Sequence, residues 1–185
     1  PSVLARRSRF KMANKLGSTL ARHPAIKSIW NLFGSNKKLN AYNKMVKEFY
    51  PHVLGSNIGG SFRMCPFMSN LSVESQSMNQ ENSLITAEGE ITYSDFGLEN
   101  ISTVQLITLI FLSDPLDCNF NEYDVLSFES NEVEYILNKK IIIEHDIREG
   151  EEIIDMYSER KMFYIFAAFD NDHNIIGFSD TFTFA

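Results

Sequence analysis

The spacing of apolar residues changes character once along the chain, at "GSNIGGS", residues 55–61, and this break limits the folds open to it. Before it the spacing is helical. Phe10, Ala13, Leu16 and Leu20 share one helical face, Ile26, Ile29, Trp30 and Phe33 a second, and Leu39, Tyr42, Met45, Val46 and Phe49 a third. Ser2 suits an N-cap, and His23-Pro24 should end the first helix, because the residue before proline is pushed away from the helical region. The second helix is expected over 25–33 with Gly34 at its C-terminal cap. The third is expected over about 37–50, capped by Asn36 and stopped by Pro51.

After the glycine pairs the period becomes two. In "NIIGFSDTFTFA" Ile176, Phe178, Asp180, Phe182 and Phe184 alternate with small or hydroxyl residues, as along a strand. "STVQLITLIFL" is apolar on both strand faces, so that strand should be covered from both sides. Six or seven strands with no intervening long helix predict an α+β chain. A basic helical segment, residues 1–54, precedes a mostly antiparallel, immunoglobulin-like β-sandwich, residues 61–185, expected to fold by itself. The polar run "NLSVESQSMNQENS", 70–83, reads as a mobile loop or a frayed strand junction.

Charge divides at the same place. The 185 residues carry a formal net charge of -7. Residues 1–50 hold eleven Lys and Arg against the single acid Glu48, a formal +10; the remainder holds six basic and 23 acidic residues, a formal -17. A basic head on an acidic body fits three roles: docking on an acidic protein surface, including another copy of the chain; phosphate contact with nucleic acid; or a solvated face. The residues that would carry docking are Arg6, Arg7, Arg9, Lys11, Lys15 and Arg22 as cations, with Trp30 and Phe33 as anchors. No membrane role is expected. The first helix has a thin apolar face, "VQLITLIFL" is too short to span a bilayer as a helix, and the basic start lacks the apolar run of a signal peptide.

Chemistry-bearing residues are scattered. Cys65 and Cys118 lie far apart and read as two buried thiols, a disulfide between them being open only in an oxidising compartment. His23, His52, His145 and His173 show no metal-ligand spacing, and neither a metal nor a cofactor is expected. "DNDHNIIG", 170–177, lacks the glycine and the glutamate of a calcium loop and predicts a hairpin turn. The acids of "REGEEIIDMYSER" read as a solvated loop, and Ser127 and Ser179 show no partner in the sequence.

"PSVLARRSRFKMANKLGSTLARHPAIKSIW", "NAYNKMVKEFYPHVLG" and the closing "KMFYIFAAFDNDHNIIGFSDTFTFA" together resemble a family of uncharacterised proteins of Bacteroidetes and their prophages. The resemblance covers most of the chain, with 113–135 fitting poorly. It implies N-terminal helices before a β-sandwich and carries no catalytic residue. The family's association with phage-like elements implies a non-enzymatic structural component of a virion or related particle, cytoplasmic during assembly.

Overall fold

The computed structural model describes residues 2–55 and 57–184. Helix α1 spans Val3–Leu20, with the Ser2 hydroxyl accepting from the Ala5 N–H at 3.2 Å. It closes at Ala21, and His23-Pro24 starts α2, Pro24–Leu32, with proline in the first turn, where its missing N–H costs nothing. Helix α3 spans Ala41–Phe49 and is shorter than the sequence suggests. Its cap is Asn40, whose side-chain oxygen accepts from Asn43 N–H at 2.9 Å. Asn36 instead takes a left-handed backbone, φ 61°, and accepts from Lys38 N–H, so it turns the chain before the helix begins. A 3₁₀ turn, Tyr50–His52, then takes in Pro51.

Strands β1 (Val53–Leu54) and β2 (Asn57–Ile58) form a small ladder beside the helices. β3 (Leu71–Glu81) and β4 (Leu84–Ser94) form a long hairpin; β5 (Thr103–Pro115), β6 (Tyr123–Glu129) and β7 (Val133–Glu134) follow, then β8 (Ile141–Asp146). A short α4, Glu151–Ile154, leads into β9 (Tyr157–Phe169), β10 (Ile175–Phe178) and β11 (Phe182–Phe184). The larger sheet runs β10-β9-β5-β6, with β11 also on β9 and β7 also on β5; the smaller runs β3-β4-β8. Every pairing is antiparallel. The chain is α+β with an antiparallel β-sandwich.

Of the two readings of 70–83 the loop fails: the run is strand β3 and the turn that joins it to β4, with Asn82 at φ 53° in the turn. Only Leu71 and Met78 of β3 are buried, and a bulge near Ser75, φ 49°, breaks the alternation. An edge strand with one wet face and a bulge has no sequence signature of a strand.

Three layers result: helices, large sheet, small sheet. Leu109, Phe111, Phe163 and Ile165 face the helices and pack with Met12, Leu16, Trp30, Met45 and Phe49. Leu106, Ile110, Leu112, Tyr164 and Phe166, on the alternate positions of β5 and β9, pack with Ile85, Ala87, Ile91 and Ile143 of the small sheet. β5 is thus covered on both faces, as its sequence demands. Gly89 of β4 faces Phe166 of β9, and a Cβ there would sit 2.6 Å from the Val73 side chain on β3. The basic segment and the strands therefore share one continuous apolar core.

Candidate functional site

The structure sorts the candidate docking residues into two groups. Arg6, Arg7, Lys11 and Arg22 are exposed. Arg9 is turned inward: its Nε donates to the Val53 carbonyl at 2.7 Å, Nη2 lies 3.4 Å from the Pro51 carbonyl, and the guanidinium sits 5.1 Å from the Tyr50 ring centre. Lys15 pairs with Asp124 at 2.6 Å and lies over the Tyr123 ring, tying α1 to β6. Trp30 and Phe33 do not serve as surface anchors. Trp30 is 1% exposed, stacked edge-on to Phe49, and Phe33 packs on Phe178 with ring centres 5.2 Å apart. Apolar spacing alone cannot say whether a helix face meets its own sheet or another molecule, and here it meets the sheet. Lys44 is also lost to the surface; its Nζ donates to the Trp30 and Asn31 carbonyls at the end of α2.

What remains is a front formed by the first turns of α1. Val3, Leu4 and Phe10 are 61%, 74% and 56% exposed, interleaved with Arg6, Arg7 and Lys11. Beside it, a cleft of about 360 Å³ opens between α1 and the β5–β6 connection, lined by Arg7, Ser8, Lys11, Lys15, Asn121, Glu122 and Tyr123. The opposite outer layer is acidic. Register places Glu74 across from Glu90, Glu88 across from Ile142, and Leu84 across from Asp146 on the solvent face of the small sheet, with Glu144 beside them. Lys140 and Arg148 neutralise two of these acids, Glu88 and Asp146.

A second constellation joins residues that the sequence leaves apart. On β6 the alternate positions Tyr123, Val125, Ser127 and Glu129 face the helices, so Ser127 and Glu129 stand side by side. His23, at the α1–α2 junction, reaches both: Nε2 lies 2.7 Å from Ser127 Oγ and Nδ1 3.1 Å from Glu129 Oε2. The consistent proton arrangement has Nδ1–H donating to the carboxylate and Nε2 accepting from the hydroxyl, the order of a serine–histidine–acid triad. Ser127 Oγ also lies 3.4 Å from the Thr19 carbonyl at the end of α1. The only hint in the sequence is Ser-x-Glu on a strand; the histidine lies about a hundred positions earlier. Ser127 sits within a regularly paired strand rather than on a sharp turn, and it is not among the residues that line the cleft beside α1.

The other candidates resolve simply. Asp170 Oδ1 accepts from the Asp172 and Asn174 N–H groups at 2.9 and 2.8 Å, making the predicted turn, and these bonds hold its carboxyl below the ordinary carboxylate value. Glu149 lies on a 3₁₀ turn, Glu151 and Glu152 on α4 and Asp155 at its C-cap, rather than in an irregular loop, with the Glu149, Glu151 and Glu152 side chains in solvent. Cys65 is buried as expected, which pushes its thiol well up, whereas Cys118, in the β5–β6 connection, is exposed rather than buried; both are free. Among the described residues no group of three His, Cys, Asp or Glu could hold a metal, and no helix is long and apolar enough to cross a membrane.

No protein-family model and no curated protein matches the chain. Among solved structures, it resembles a DUF3823 family protein from Parabacteroides merdae (11% identity, TM-score 0.37, 65% of this chain and 53% of that one). A DUF3823 family protein from Bacteroides ovatus gives 15% identity and TM-score 0.33 over 62% of this chain and 53% of that one. Catalytically inactive OgpA from Akkermansia muciniphila gives 14% and 0.33 over 63% and 28%. The chain spans about half the length of the two DUF3823 structures. A likeness this loose assigns the chain no family, activity or ligand.

Proposed function

We propose that the chain is a non-enzymatic structural component of an assembly, of the phage-particle kind, that docks through the front of α1. One observation carries this reading: cations and exposed apolar side chains alternate on the same outward turns, Val3, Leu4, Arg7, Phe10 and Lys11. Apolar tips supply burial and cations supply register and on-rate, the usual division at a protein interface. The phage association comes from the family resemblance alone. Nucleic acid is the rival partner, because exposed cations also suit phosphates. Expression of the chain in a host carrying the particle tests the proposal. The chain should cosediment with particles, an Arg7→Glu/Lys11→Glu variant should not, and salt-steep binding of duplex DNA by the purified chain would move the role to the rival.

The Ser127–His23–Glu129 geometry favours one further reading, a hydrolase using Ser127 as nucleophile. A fluorophosphonate probe decides it. Ser127 Oγ would form a bond to phosphorus, fluoride would leave, and His23 Nε2 would take the proton. Labelling lost in Ser127→Ala and in His23→Ala would establish the reading; an unlabelled folded chain would remove it.

A further inference from the structure

The basic front and the acidic sheet face occupy opposite outer layers of the molecule, with the large sheet between them. They cannot meet within one chain. We infer that the partner of the α1 front is the outer face of the β3-β4-β8 sheet on a second copy of this chain, an inference that rests on the docking reading above.

The two surfaces match in kind. The front has an apolar set, Val3, Leu4 and Phe10, with Arg7 and Lys11 among them. The sheet face is mainly acidic: Leu84 and Ile142, 41% and 54% exposed, stand apart with the Thr86–Glu144 position between them, and Glu90 and Glu74 lie beyond Glu88. Glu74, Glu90 and Glu144 are not among the acids that Lys140 and Arg148 neutralise. Charge carries the match: a cationic helix front meets a sheet face whose carboxylates outnumber its cations. Opposite charge on the two surfaces sets the orientation, and like charge discourages front-to-front or back-to-back pairing. Because the contact joins two different surfaces, each copy keeps one of each free. The association is head-to-tail and produces open filaments or closed rings rather than a dimer.

Charge exchange tests this. A front-reversed variant carries Arg7→Glu and Lys11→Glu; a back-reversed variant carries Glu74→Lys, Glu90→Lys and Glu144→Lys. All five positions are exposed, so the melting profile should stay close to the parent's. In sedimentation experiments the parent should form multimers at about 50 mM salt and dissociate towards 1 M, where screening shortens the Debye length to about 3 Å. Each variant alone should lose about tenfold or more in association. An equimolar mixture of the two should regain it, since each reversed surface then meets its complement. A mixture no better than either variant alone overturns the inference, as does a parent that stays monomeric at low salt. In the latter case immobilised poly-glutamate separates the two levels. Retention of the parent but not of the front-reversed variant keeps protein docking and rejects only the self-partner; absence of retention rejects both.

Discussion

The indole Nε1–H of Trp30 donates to the backbone carbonyl of Met64 at 3.0 Å, fastening the helical segment to the stretch that leads into the strands. The bond is buried, and the ring beside it packs on Phe49. Trp30→Ala would open a cavity and orphan the carbonyl, so the expected loss is about 3–5 kcal/mol in denaturant unfolding. Trp30→Phe should recover most of the packing but not the bond. The same relationship bears on truncation. A chain beginning at Ser61 would expose Leu109, Phe111, Phe163 and Ile165 on the helix-facing side of the large sheet. It is expected to bind a hydrophobic dye and to lose its sharp thermal transition. A sharp, cooperative melt of that fragment would show that residues 61–185 are an independent folding unit.

His145 supplies a pH test. Burial pushes its imidazole below the ordinary histidine value, outweighing the upward pull of Asp146 and Glu129, with His23 adding to the fall. The unfolded chain therefore takes up the proton more readily than the folded one. Stability from this source is complete above about pH 6.5, the unfolded value, and is lost as pH falls below it. Melting temperature should drop between pH 7 and 5, and the drop should shrink in His145→Gln. An unchanged pH profile in that variant would assign the acid sensitivity to other groups.

How much was legible follows from what each residue faces. β5 and β9 announce themselves because both faces are apolar, and the helices because their inward faces repeat at helical spacing. β3 is silent because one face is wet and a bulge shifts its phase. The basic head is visible as charge, yet composition does not reveal that Arg9, Lys15 and Lys44 are committed to the body while Arg7 and Lys11 are not. That distinction is made by chain segments distant in sequence: Val53 for Arg9, Asp124 for Lys15 and the end of α2 for Lys44. The His23–Ser127 contact is hidden for the same reason.

The Asp170 turn should be indifferent to calcium. Oδ1 is already engaged by two backbone N–H groups, and Oδ2 lies 3.3 Å from the Asn174 amide. The carboxyl is held below its ordinary value, so its contribution is present above about pH 3.8 and fades as pH falls further. Asp170→Ala should lower the melting temperature modestly at neutral pH, and millimolar calcium should leave the parent's melting temperature where it is. A calcium-dependent rise that disappears in Asp172→Ala would make the turn a cation site.

Arg7 and Arg9 lie two positions apart on one helix and should behave oppositely. Arg9 is the cation that closes the exit of α3: its guanidinium fork meets the carbonyls of Val53 and Pro51 and rests on the Tyr50 ring. Removing it takes a charged donor from the partly buried Val53 carbonyl, at a cost of roughly 1–3 kcal/mol, and Lys cannot restore it because an ammonium lacks the planar fork. Arg7 projects to solvent on the docking front. Arg7→Ala should leave stability within about 0.5 kcal/mol of the parent, as surface changes do, while weakening association at low salt. Arg9→Ala should lower stability, and any loss of association should follow the loss of folded protein. Thermal melts and sedimentation on the two variants separate the roles. Equal stability losses, or an association defect confined to Arg9, would mean that the docking front has been placed on the wrong side of α1.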